Sequence, residues 1–223
     1  MTYAWRVVAV IATGFVALSL PPYLRGDTRV PPTFDGHYPM LVAHVLLGSV
    51  AMVAAVHQIW PGRRLRHPAV HRVVGRVYMG TAIPAALCAL VLGAATPFGP
   101  VLAVSNVVLA AVWLYFTTAG WVGVRRRDIA AHRFNMALSV TAALSIITNR
   151  VWNPVLFVAL QPLQATLFGG SEEDFLHMVA GLGGWLGWTV PVATVYFWLK
   201  SRPVGVISGH DRGFQRQDRA RHP

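Results

Sequence analysis

The histidines are the groups most able to do chemistry in this chain. It holds nine of them and only eight Asp plus Glu in 223 residues, and several histidines sit on apolar segments. His44-Val45-Leu46-Leu47-Gly48 runs on to His57-Gln58, then to a basic turn from Arg63 to Arg76 that includes His67 and His71. Arg125-Arg126-Arg127-Asp128 leads to His132-Arg133 and, after an apolar run, to Asn149-Arg150. An ionisable side chain at membrane depth is costly and by default marks a functional site.

The sharpest chemistry these residue types fit is haem b ligation, with electrons moved within or across a membrane. Such a site needs neutral imidazoles from helices on either side of a porphyrin and small residues along the ring. It also needs Arg near the interface for the propionates. His71 with His132 is the preferred ligand pair, with His57 as a rival. His44 with His177 forms a second, outer pair. Arg72, Arg76 and Arg150 are the candidate anion partners. Trp60, Trp113, Trp121, Trp152, Trp185 and Trp188 fit interfacial or bundle packing better than cofactor stacking.

Composition sets the frame for these groups. The chain is 55% hydrophobic and 12% charged, with mean hydropathy +0.50. Soluble domains carry about 25% charged residues, so an integral membrane protein is predicted. The net charge of +11 does not argue for nucleic acid, because the Lys and Arg gather at segment ends and no basic-aromatic module accompanies them. The single Cys88 excludes an intramolecular disulfide and a cysteine metal cage.

Six segments have the roughly 20 apolar residues a spanning helix needs: Ala4–Leu20, Met40–Trp60, Val77–Thr96, Val101–Val124, Phe134–Val158 and Leu176–Leu199. An all-α, polytopic six-helix bundle covering 1–200 follows, with a basic tail over 201–223. The first segment reads as an uncleaved anchor, since Pro21-Pro22-Tyr23 follows it rather than a small-residue cleavage site. Placing both termini in the cytoplasm leaves only Arg25, Arg29 and Arg150 of the 19 Lys and Arg outside, as the positive-inside rule requires. The predicted location is therefore the cytoplasmic (inner) membrane. Pro84 and Pro191 are expected to kink spans three and six. A helix start is expected at Pro68, which puts His71, Arg72, Gly75, Arg76 and Tyr78 in its first turns.

Helical periodicity sorts the polar groups by face. In span two, His44, Gly48, Ala51, Ala55 and Gln58 share a stripe, small in its interior, that a neighbouring helix or flat ligand could approach closely. His57 lies about 140° round the helix and roughly 20 Å along it from His44, so these two cannot serve one site. In span five, His132, Asn135, Ser139, Ala143, Ile146 and Arg150 form a second stripe, which must face the bundle because lipid would leave its polar groups unsatisfied. His37, in the loop before span two, with His67, His210 and His222, reads as structural.

Other chemistries are weaker. Three imidazoles could bind zinc, but no Asp or Glu lies inside a span to act as general base. Ser49 and Ser145 lack an acid-oriented histidine in register for a nucleophilic triad. The alternative to an electron carrier is a non-enzymatic carrier or accessory protein. It would bind a small anionic or quinone-like ligand between its helices, with Arg150 and the inner arginines as counter-charge.

Three stretches carry a family resemblance: AHVLLGSVAMVAAVHQ, HPAVHRVVGRVYM and RRRDIAAHRFNMALSVTAALSIITNR. They resemble an uncharacterised family of bacterial multi-pass membrane proteins, domain of unknown function 2306. The pattern positions this implies are His44, Gln58, His71, Arg72, Gly75, Arg76, Tyr78, His132 and Arg150. A looser likeness is to diheme b-type cytochrome and ferric-reductase transmembrane domains, whose helices carry paired histidines. The candidate cofactor-binding set is thus His44, Gln58, His71, Arg72, Arg76, Tyr78, His132, Arg150 and His177. Its candidate metal ligands are His71, His132, His44 and His177. The bilayer is the expected partner, with a quinone or redox partner and no nucleic acid.

Overall fold

The computed structural model describes residues 2–27, 30–60 and 62–201, and among these it is all helix and loop. Six helices are long and apolar enough to cross a membrane. They are α1 (Thr2–Leu24), α2 (His37–Gln58), α3 (Pro68–Ala94), α4 (Pro100–Arg125), α5 (Ile129–Leu160) and α6 (Glu172–Lys200). Short helical turns at Arg63–Arg66 and Gln164–Leu167 occupy two of the connections.

The predicted spans are all present, and their ends move outward where polar residues can cap or cover a helix terminus. Asp128 caps α5, accepting the backbone N–H of Ala131 at 2.9 Å, and so draws His132 into the first turns. Ser171 caps α6 from the Asp174 N–H, which places His177 in its second turn and not at its start. α3 begins at Pro68 as expected. α1 runs past its expected end at Leu20 through Pro21-Pro22 to Leu24. Two prolines in a last turn remove only terminal hydrogen bonds, which membrane helices tolerate. Pro84 and Pro191 both lie inside helices that continue on either side. The expected basic tail, with His210 and His222, lies beyond the described residues except for Ser201.

Helices α2, α3, α4 and α5 form an antiparallel ring in which each packs on the next and α5 returns to touch α2. α6 lies in the groove between α4 and α5, and α1 leans on α2 and grazes α5. One end of this bundle carries Arg66, Arg72, Arg76 and Arg125–Arg127. It is called the Arg-rich end below, and its opposite the Arg-poor end.

Glycines set the closest contact. Gly183 and Gly187, one turn apart on α6, meet Asn153 and Asn149 of α5, and a Cβ at Gly187 would lie 3.0 Å from Asn149 Cα. This is small-residue packing, which substitutes for the hydrophobic drive that helices lack in lipid. The Thr148 hydroxyl donates to the Gly187 carbonyl across the same seam.

The centre of the ring is polar but closed. Tyr78 of α3, Trp113 and Thr117 of α4 and Ser139 of α5 join by hydrogen bonds of 2.7–3.2 Å. The proton count orders them. Trp113 Nε1–H can only donate, and it gives to Tyr78 Oη. The Thr117 proton is committed to the Trp113 carbonyl, so Ser139 must donate to Thr117 and Tyr78 to Ser139. The chain starts and ends on Trp113 with every hydroxyl donating once and accepting once. Tyr78, Ser139 and Thr117 are all 0% exposed.

Candidate functional site

Above this network, toward the Arg-poor end, the ring opens into a cavity of about 570 Å³. It exists because α2 and α5 meet only lightly there, while α1 closes the gap from outside with Phe15, Val16, Ser19 and Tyr23. Trp113, part of the polar network, is also in its lining. Most of the wall is aliphatic or aromatic. Its polar groups include His37 and His44 of α2, Asn106 of α4, and Asn149, Arg150 and Asn153 of α5. Among the described residues no Asp or Glu is in the lining, and Arg150 is its one permanent charge.

The two histidines stand two turns apart on one face of α2. His44 Nδ1 lies 2.9 Å from the Ala85 carbonyl of α3. A carbonyl only accepts, so Nδ1 carries the proton and Nε2 of the neutral ring keeps its lone pair. His37 is 2% exposed, and its Nδ1 is 3.0 Å from the Thr33 hydroxyl. That hydroxyl also donates its proton to the Ala95 carbonyl at 2.7 Å. The Thr33 backbone N–H donates to Nδ1 at 3.4 Å, so the two contacts with Thr33 ask opposite roles of Nδ1 and do not fix the tautomer. His37 Nε2 is buried with no hydrogen-bond partner, and so is Asn149 Oδ1. Asn153 Oδ1 is likewise unpartnered, but it is directed at Gly183 of α6.

Of the residues singled out from sequence, His44 and Arg150 meet in this cavity. His37 is expected in the loop before span two. It is instead the first residue of α2 and lines the cavity, because Gly36 turns the chain at φ +87° directly before it. His177 is outside the lining; its Cβ and Cγ sit where a Cβ on Gly99 would come within 3.0 Å. Tyr78 is sealed in the central network. The small stripe of α2 is real, but Ala51 and Ala55 are fully buried in the core cluster that also holds Ala82 and Ala85 of α3. A neighbouring helix, not a flat ligand, fills that space, and only Gly48 opens on the cavity.

The Arg-rich end is organised differently. Gln58 Nε2 donates to the His71 carbonyl at 2.7 Å, close over Gly75, while Gln58 Oε1 is buried and unpartnered. His132 Nδ1 is 2.8 Å from the Gly120 carbonyl, which leaves its Nε2 with the lone pair. Tyr78 and Ser139 hydrogen-bond across the ring, and His71 and His132 each precede them by two turns on parallel helices. The two imidazoles therefore stand at one level of the bundle. Arg72 and Arg76 are exposed. His57 stacks edge-on with Trp60, away from both sites. Among the described residues no group of three or more His, Cys, Asp or Glu is arranged to hold a metal ion.

Comparison with known proteins fits this architecture. The family described as predicted membrane protein (DUF2306) matches residues 41–199. The chain belongs to the DUF2306 family. It is therefore a multi-pass integral membrane protein, and the matched region takes in the whole of α3, α4 and α5 and nearly all of α2 and α6. The DUF2306 match includes His44, Asn149 and Arg150 but not His37 or α1, so part of the cavity wall comes from outside the shared region. No curated protein and no solved structure matches the chain.

Proposed function

We propose that this protein binds a small amphiphile in the cavity at its Arg-poor end, and acts as a carrier or accessory protein of the cytoplasmic membrane. The Arg-rich end faces the cytoplasm and the cavity opens toward the outer leaflet. The observation that carries this reading is a cavity of about 570 Å³, apolar for most of its wall, with Arg150 as the single charge among its described residues. Ligand sites of about 300–1,000 Å³ with a few convergent polar groups in apolar walls are the common form. Arg150 also departs from the charge bias of the chain, and an Arg with no acid in its cavity suits an anionic or electron-rich head. The body of the ligand would lie along Phe15, Leu41, Leu102 and Leu109, consistent with a quinone-like molecule.

The test uses Gly48, where an added Cβ meets nothing within 4 Å. Gly48→Leu should fill the cavity without disturbing the helices. Wild-type protein purified in mild detergent is expected to retain a stoichiometric small molecule, identified by mass spectrometry of its solvent extract, and the variant to lose it. Identical, empty extracts from both proteins refute the reading.

A second reading, haem b ligation with electron transfer, rests on one observation. His44 and His132 each anchor Nδ1 on a backbone carbonyl and keep the Nε2 lone pair free, the tautomer that a carbonyl-fixed metal ligand presents. His71 at the level of His132 would be the partner at the Arg-rich end. In the cavity the only imidazoles come from α2, two turns apart, which suits a single axial ligand and not a facing pair. A Soret band in the purified protein that sharpens with dithionite and disappears in His132→Ala supports this reading. A colourless protein expressed with haem supplied removes it.

A further inference from the structure

The hydrogen-bonding character of the cavity narrows its ligand, on the reading that the cavity is a binding site. Its unpartnered groups include acceptors. His44 Nε2 carries a lone pair because Nδ1 donates to Ala85. His37 Nε2 is buried without a partner. Asn149 Oδ1 is buried without a partner as well. With these acceptors stands the guanidinium of Arg150, the one charged donor among the described residues of the lining.

We infer that the ligand head is a hydroxyl-bearing ring, a hydroquinone or related phenol, bound in preference to its oxidised quinone. A quinone offers only carbonyl oxygens. These would satisfy Arg150, but they would face the histidine and asparagine acceptors lone pair to lone pair and leave them dry. A phenolic hydroxyl does both jobs: its O–H donates to His44 Nε2, and its oxygen accepts from Arg150. The second hydroxyl of a hydroquinone, on the far side of the ring, reaches a second acceptor, for which Asn149 Oδ1 is available. A site built to receive an O–H discriminates strongly against the analogue without it, because its own buried polar groups are then left unpaired. The selection is for binding, and no electron transfer is part of it.

The test is calorimetric titration of the full-length protein in lipid nanodiscs, under anaerobic conditions, with duroquinol and with duroquinone. Duroquinol should bind at least about tenfold more tightly, the ratio expected for one hydrogen bond of about 1.4 kcal/mol. Two variants separate the acceptor from the fold. His44→Asn keeps an N–H for the Ala85 carbonyl but withdraws the acceptor from the Nε2 position, and should abolish most of the preference. His44→Gln can reach that position with an oxygen and should retain part of it. Equal binding of the two probes, or tighter binding of duroquinone, overturns the inference and leaves the cavity reading standing. A preference unchanged in His44→Asn overturns the assignment of His44. Failure of both probes to bind, together with empty wild-type extracts, overturns the inference and the cavity reading together.

Discussion

Tyr78→Phe tests the central network most directly. The substitution keeps the ring and its packing and removes one oxygen, so it creates almost no cavity. Two groups lose their partner at once: Trp113 Nε1–H, which has no other acceptor, and Ser139 Oγ, which loses its incoming proton. An unpaired buried donor costs about 1–3 kcal/mol. Interhelical hydrogen bonds in membranes average only about 0.6 kcal/mol, because the unfolded helices find other partners in lipid. The closed circuit argues for a value above that average, since Tyr78, Ser139 and Thr117 are wholly shielded and no second acceptor lies within reach. The expected cost is about 2 kcal/mol, or a fall in melting temperature of roughly 4–8 °C for a chain of this size. The readout is thermal or denaturant unfolding in detergent, in a double-mutant cycle with Ser139→Ala. The directed ring requires that Ser139→Ala cost clearly less in the Tyr78→Phe background than in wild type, with coupling of about 0.5 kcal/mol or more. Strict additivity, or a single-mutant cost below about 0.5 kcal/mol, would refute the proton assignment.

Three further outcomes follow from local geometry. Gly187→Ala should destabilise by roughly 1–3 kcal/mol, since its Cβ meets the Asn149 backbone and α6 must move; Gly14→Ala, which meets nothing within 4 Å, should be neutral or slightly stabilising by the same unfolding assay. Asp128→Ala removes the cap on Ala131 N–H and should cost about 1 kcal/mol without altering ligand retention. For orientation, Asp35→Cys and Leu65→Cys are made singly in a Cys88→Ser background. A membrane-impermeant maleimide added to intact cells should label the first and not the second, and the reverse pattern would invert the topology.

The helices and the inward faces were legible because they are local and periodic. Span two's stripe from His44 to Gln58 does face α3, and span five's stripe does face the bundle, from His132 on Gly120 to Arg150 in the cavity. What sequence could not supply is the choice among things that fill an inward face. A stripe of small residues looks the same whether a helix or a ligand lies on it, and on α2 it is the helix. Tyr78 was marked by resemblance as a binding residue, yet its hydroxyl closes a circuit with Thr117 and Ser139, which are 39 and 61 positions away. No local signal pairs those positions. His37 was misplaced for a different reason: the Gly36 turn that starts α2 falls two residues after Phe34, in a stretch of Pro31, Pro32 and Asp35 that reads as loop.

The position of α1 bears on how a ligand would enter. α1 packs on α2 and touches α5 only lightly, and among the described residues makes no close packing with α3, α4 or α6. Its attachments are few and lie near its ends: Trp5 stacks on Trp60 and donates to the Val56 carbonyl, and Tyr38 donates to the Tyr23 carbonyl. Between them α1 offers Phe15, Val16 and Ser19 to the cavity, with Ala12 packed on Met52 and Val56 below. A wall pinned at both ends and lightly packed in its middle can yield sideways at modest cost, whereas the ring helices α3 to α5 cannot without breaking the network around Tyr78. If the ligand arrives from the bilayer, the low-cost path is therefore between α1 and α5. Replacing Tyr38 with Phe should loosen the upper pin and speed exchange of bound ligand while leaving its affinity for the cavity nearly unchanged. Slower exchange, or a large loss of affinity, would place the entrance elsewhere.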